Sequence, residues 1–286
     1  LLVALDGTLS NGPWTLDEDL QKVNALAKYS QGPPDHGWTL GFTGYHARWN
    51  AHDQVPERAI ASGLISRRGN IDPTLGGETT RLGLNVGATL GDTQITVYGV
   101  YYRFGLTSNF TFFLNDPVNG DQFRQRDQRG VFGGSVRRKW AAKIAGLPVD
   151  MTVGGDSRWD HIGKIGLYSS VGGVTSGTIR QDRVDEYSAA LFAEGTASLT
   201  DRLRLTLGLR GDLYGYDVTA QSLAANSGKG SDMIVSPKVA LAWRALDRLE
   251  FYANYGESFH SNDVRGATIR IDPVSGDPVD RVQALV

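Results

Sequence analysis

The chain contains no cysteine. A disulfide framework and any cysteine–zinc site are thereby excluded, while the redox compartment stays open. Nowhere do about 20 apolar residues run consecutively, so a membrane-spanning helix is excluded too. A spanning β-barrel is not, because only every second residue of its strands faces lipid. Neither sign of charge dominates: 29 Lys and Arg stand against 31 Asp and Glu, a net −2 over 286 residues. Bulk charge therefore gives no reason to expect a nucleic-acid partner. A 3.6-residue period is nowhere sustained, which disfavours helical repeats. Nucleophile elbow, P-loop and G-x-G-x-x-G fingerprints are missing, so no enzyme is expected, and no catalytic residue, cofactor or metal is assigned.

What the chain does have is glycine, 36 residues of it, and long runs of alternating character. The clearest is RLRLTLGLRGDLYGY, Arg202–Tyr216. Leu203, Leu205, Leu207, Leu209 and Leu213 take one parity, and Arg202, Arg204, Thr206, Arg210 and Asp212 the other. Side chains of a strand alternate with period two, so such a run is a two-faced strand. Runs of this kind recur at 1–9, 19–30, 38–50, 78–90, 93–105, 127–140, 148–159, 183–199, 202–218, 233–244 and 248–259. They predict about eleven strands, too long for a propeller or sandwich, whose strands usually run about 5–6 residues. Short connections such as Gly91–Asp92 alternate with long polar ones, including 51–77, 106–126 and 160–182. Tight turns at one end and long loops at the other fit an antiparallel transmembrane β-barrel.

Tryptophan fits the same reading. Trp38, Trp140 and Trp243 lie by tight turns, and Trp49 and Trp159 by long loops. Trp favours a lipid–water interface. From Trp38 to Trp49 the strand rises roughly 36 Å, about 25 Å once tilted, which matches the apolar band of such barrels. The two have opposite parity, so both face lipid only if a bulge intervenes. A barrel in lipid must close, and bacterial single-chain barrels have even strand numbers. An odd count, a start at Leu1 inside a strand and an end in a loop predict a middle section of a larger barrel.

Several segments resemble the barrel of TonB-dependent outer-membrane receptors: YSAALFAEGTASLTDRLRLTLGLRGDLYGYD at 187–217, SPKVALAWRALDRLEFYANYGESFHSNDVRG at 236–266, and the loop-like NFTFFLNDPVNGDQFRQR at 109–126. The resemblance covers nearly the whole chain. It implies a barrel of about 22 strands filled by an N-terminal plug. It also implies energised uptake, through TonB, of a large scarce nutrient such as a ferric siderophore, cobalamin or glycan. Residues 1–286 would then be a partial barrel domain, with the plug and the C-terminal closing strands outside it. The partners implied are outer-membrane lipid, the TonB complex through that plug, and an unidentified ligand. A self-contained porin or adhesin barrel, and a soluble all-β binding protein, are the alternatives.

Candidate ligand contacts are the loop aromatics Phe110, Phe112, Phe113 and Phe123, since chelates and sugars bind aromatic faces well. Arg81, Arg137, Arg202, Arg204 and Arg210 take the polar parity and are expected to face a lumen, paired or solvated. His46 and His52 flank the end of one strand and are expected at a solvated rim. The Asp-Pro units at Asp72, Asp116 and Asp272 offer clustered oxygen atoms, but Asp-Pro and Asn-Gly are ordinary turn formers and turns are expected.

Overall fold

Eleven strands make one antiparallel sheet in which each strand pairs with its neighbours in sequence. The computed structural model describes residues 1–286. The strands are β1 (Leu2–Ser10), β2 (Leu20–Gln31), β3 (His36–Asn50), β4 (Gly76–Leu90), β5 (Thr93–Ser108), β6 (Phe123–Ile144), β7 (Leu147–Val171), β8 (Val174–Thr200), β9 (Leu203–Ala220), β10 (Gly228–Leu246) and β11 (Leu249–Gly256). Two short helices, α1 (Glu57–Ala61) and α2 (Val264–Thr268), lie outside the sheet. The sheet is open, with β1 and β11 as its free edges.

Register fixes two faces. Leu205, Leu207, Leu209 and Leu213 on β9 pair with Leu241, Val239, Pro237 and Met233 on β10. These belong to an outer face that continues through Leu191, Phe132, Val97 and Leu84, all exposed. The opposite parity is polar and forms an inner face. It receives the segment after β11: Val264 of α2 packs on Ile162, Val184 and Val218, the main buried apolar cluster. Three inner-face glycines, Gly133, Gly154 and Gly230, stand opposite Tyr98, Phe192 and Tyr216 on the adjoining strands. Each ring lies across its glycine, and a Cβ there would collide with it. These three glycines thus make room for aromatic rings rather than for turns.

Aromatic girdles mark the borders of the outer face. Near the tight turns stand Trp38, Trp140 and Trp243, the last stacked on Phe251. Toward the other end Trp159 lies between Phe132 and Tyr187, with ring centroids 5.7 and 6.3 Å away. Trp49 does not join a girdle. The register of β3 is unbroken on both sides, so no bulge returns Trp49 to the outer parity.

The expected long loop at 160–182 is instead strand. β7 and β8 continue past the girdle and meet at a two-residue turn, Gly172–Gly173, with φ of 57° and 78°. Both values lie in the left-handed region that a tight hairpin turn requires and glycine tolerates. The alternation lapses after Trp159, but the β7–β8 pairing continues to Val171 and Val174. Twenty-four steps along β7 cover roughly 80 Å, or about 55 Å with a ~45° tilt, about twice the apolar band. Three bulges, between Ile162 and Ile165, Leu167 and Tyr168, and Ser169 and Ser170, lie in this extension. The connection expected over 219–232 is likewise shorter, 221–227, with a single 3-10 turn at Ala224–Asn226.

Candidate functional site

Because strand side chains repeat every second residue, an arginine and an aspartate two apart share a face and can bond directly. The inner face repeats this device. Arg129 binds Asp127 through Nε at 2.9 Å and also through Nη2. Arg158 holds both oxygens of Asp160 at 2.6 and 2.7 Å. Arg180 reaches Asp182 at 2.6 Å. Arg210 grips Asp212 at 2.7 Å and, two strands away, Asp156 at 2.8 Å. Register sets these side by side, with Asp156 opposite Ala190 and Ala190 opposite Asp212. A charged band therefore crosses the inner wall from β6 to β9.

The band extends sideways through Arg204 with Glu250 at 2.7 Å and Lys238 with Glu194 at 2.8 Å. Phe192 lies between two guanidiniums, Arg137 at 5.8 Å and Arg210 at 5.9 Å from its ring centre, a cation–π arrangement. These residues line a recess of ≈ 490 Å³ together with Gln94. Tyr214 donates to Glu186 at 3.1 Å in an adjoining recess. The α2 segment caps the band's far end. There Asp182 is fully buried and also lies 3.9 Å from Arg265, while Arg180 donates to the Arg265 carbonyl at 3.2 Å. Asp263 caps α2 and pairs with Arg265. Burial pushes the Asp263 carboxyl up, but Arg265 outweighs it and holds the group below the usual carboxylate range.

The long-loop end has its own network. Asp72 accepts from Thr74, Asn109 and Gln122 at 2.6, 3.2 and 2.7 Å. Burial raises its carboxyl, and these hydrogen bonds more than reverse that, so it lies below the ordinary value. Gln122, almost wholly buried, accepts in turn from Ser170 and from the Gly173 amide, both at 2.8 Å. One amide side chain thus ties loop 51–75, loop 109–122 and the β7–β8 tip together.

Each Asp-Pro unit closes a turn on itself. Asp72, Asp116 and Asp272 accept from the amide two residues on, at Thr74, Val118 and Val274. Asp121 is likewise taken up by the amides of Leu114, Asn115 and Asp116. No group of three His, Asp or Glu side chains is arranged to hold a metal ion. His46 bonds Thr80 at 2.9 Å, whereas His52 is stacked 4.9 Å from Trp14.

Of the loop aromatics, Phe110 and Phe113 are exposed. Phe110 also stands edge-on to Phe123, 5.4 Å between centroids. Phe112 is buried, with φ of 59°, and its carbonyl accepts from Asp121. It shapes the loop rather than presenting a face. Among the arginines, Arg81, Arg137, Arg204 and Arg210 stand on the inner face by register. Arg202 does not lie in a strand. It sits in the β8–β9 turn, 3.6 Å from Asp247 of the next turn. Asp127, Asp160 and Asp182 escaped the sequence reading as partners of arginines, although the spacings D-Q-R, R-W-D and R-Q-D carried the signal. Asp156 and Glu186 bond across strands, to Arg210 and Tyr214, and these spacings do not mark them.

The family model described as TonB dependent receptor-like, beta-barrel matches residues 10–278. Among solved structures, the unliganded ferric citrate transporter FecA is similar at a TM-score of 0.71 and 13% identity, over 90% of this chain and 38% of that one. The ferric-catecholate import receptor Fiu of E. coli K12, in its open form, gives 0.66 and 11%, over 92% and 50%. The siderophore receptor PiuA of Acinetobacter baumannii gives 0.61 and 13%, over 92% and 46%. The chain spans half or less of the length of each. No curated protein sequence matches it.

Proposed function

The chain belongs to the TonB-dependent receptor β-barrel family, and on that premise we propose that it is part of the wall of an outer-membrane receptor for energised uptake of a large scarce nutrient. Members of the family are outer-membrane barrels that act as transporters and not as enzymes. The nutrient is of the ferric siderophore, cobalamin or glycan class. Residues 1–286 are one section of the barrel domain. The remaining strands cover the edges of β1 and β11, which in lipid would leave backbone groups unpaired. A plug fills the lumen and carries the contact with TonB.

The observation that supports this most is the combination of family match and wall chemistry. The outer face carries leucines between two girdles, and the inner face carries an ion-paired band. A band so neutralised fits a lumen filled by protein and water better than a fixed-charge filter for small ions. Above it, Phe110 and Phe113 offer exposed rings beside a loop network that holds them in place.

Two experiments on the complete receptor test the proposal. Replacing Phe110 and Phe113 by alanine is expected to weaken ligand binding about tenfold. Unchanged affinity and uptake would remove this loop from the ligand's path. Deleting TonB is expected to abolish uptake while leaving surface binding intact. Uptake that persists would return the protein to the passive porin class.

A further inference from the structure

The outer face changes chemistry above the upper girdle. Beside Phe132, Trp159 and Tyr187 the outward positions are aromatic, but toward the long loops they become Arg48, Arg103, Arg124, Arg126 and Lys164, with Glu78 among them. Register puts all six on one side: Arg48 opposite Glu78, Glu78 opposite Gly105, Gly105 opposite Arg126, and Arg103 opposite Gln128, which faces Lys164. Arg124 and Arg126, two apart on β6, share the face for the same reason. They line one groove of ≈ 610 Å³. Asp127 borders it too, but turns its carboxylate inward onto Arg129.

Within the groove five cations therefore meet one carboxylate of their own face. A second on that face, Asp185 beside Trp159, lies outside the groove and is taken by His161 at 2.7 Å. Glu78 is taken by Arg103 at 3.0 Å. Arg48 has only a long contact, 3.7 Å, to Asp19 of the β1–β2 loop. Arg124, Arg126 and Lys164 have no acidic partner at ion-pair distance. This contrasts with the band on the other face, where Arg129, Arg158, Arg180 and Arg210 are each matched with an aspartate. A charge left unmatched on the outer wall, just beyond an aromatic girdle, sits at headgroup depth. Guanidiniums on strands about 4.8 Å apart offer forked donors to phosphate oxygens.

We propose that this groove binds the phosphate-bearing headgroup of a membrane lipid in the leaflet on the long-loop side. The inference rests on the barrel family and the register, and not on which nutrient is carried. The headgroup phosphate lies among Arg103, Arg124, Arg126 and Lys164, and its acyl chains run down the apolar wall past Trp159 and Phe132.

The test uses the complete receptor in detergent, with lipid retention read by native mass spectrometry. Phosphatidic acid is the probe, and phosphatidylcholine and inorganic phosphate are the controls. The wild type is expected to retain phosphatidic acid over phosphatidylcholine. The triple variant Arg124→Gln, Arg126→Gln, Lys164→Gln should bind it about a hundredfold more weakly, three cations at about a kcal/mol each. Arg81→Gln, on the inner face, should bind as the wild type does. Should the triple variant fail to fold, Arg126→Gln alone is expected to lose a smaller factor, with Arg126→Lys restoring part of it. Equal retention in wild type and charge-removed variants overturns the proposal. So does full competition by inorganic phosphate, which would mark a free-anion site, or equal retention of phosphatidylcholine, which would mark apolar contact alone.

Discussion

The inner wall of β1–β5 and that of β6–β10 follow the same alternation and carry different chemistry. In the first half the inward positions are mostly small or neutral: Thr39, Gly41, Thr43, Gly83, Asn85, Gly87 and Thr96. Arg81 stands there beside Tyr45 and Tyr102 without a matched carboxylate. In the second half the Arg–Asp pairs run from strand to strand, and the α2 segment covers their upper end. Alternation thus specifies a polar side without specifying what meets it. One half is furnished by the chain itself. The other is left smooth, with room for a neighbour from elsewhere.

Substitutions should expose that asymmetry. The largest effect is expected at Asp182, which is fully buried against Arg180 and near Arg265. Asp182→Ala strands buried guanidinium charge and should destabilise the wall and the α2 segment by about 3 kcal/mol. Faster proteolysis within 257–286 would report it. Asp6→Ala, on the exposed inner side of β1, should leave the protease pattern unchanged, and matching patterns in the two variants would erase the distinction between the halves. A middle-sized effect is expected at Gly154, where valine must evict Phe192 from between its two arginines, at about 1–3 kcal/mol. Gly87→Val has open space, its nearest neighbour being a carbonyl 3.9 Å away, and should be close to neutral in thermal unfolding.

The smallest effects are those of acid and salt on the loops. The carboxyls of Asp72 and Asp263 are both held below their ordinary value, so each contributes stability above the unfolded pKa of about 3.9 and loses it as pH falls below that. Hydrogen exchange at 51–75 and 257–286 should therefore rise together below about pH 4. Salt should separate them. Asp72 is held by neutral donors, whereas Asp263 leans on Arg265, so added salt at neutral pH should loosen only the second. Equal responses to salt would show that the two loops are held by the same kind of force.

Most of the strand plan was legible in the sequence, since leucine parity such as that of 203–213 survives unchanged in the register. What misled was the assumption that strands end where alternation ends. Alternation records where one strand face is apolar, and β7 and β8 run past that apolar stretch long before they leave the sheet. Trp49 was misplaced for a related reason: its position near a strand end suggested a girdle, and only register decides the face. The ion-paired band was legible in principle, because an R-x-D spacing on any strand puts both charges on one side. The α2 contacts were not. They join Val264 to Ile162, Val184 and Val218 across long stretches of chain, and no local pattern encodes that.

The β7–β8 hairpin also has a mechanical side. β6 stays paired with β7 as far as Ser169, whereas β9 leaves β8 at Asp182, so the outer end of the hairpin is held on one flank only. The three bulges between Ile162 and Ser170 lie in that outer stretch and add local twist to the ribbon. Gln122 fastens the Gly172–Gly173 tip from the β6 side, so a load on the tip passes to two other loops at once.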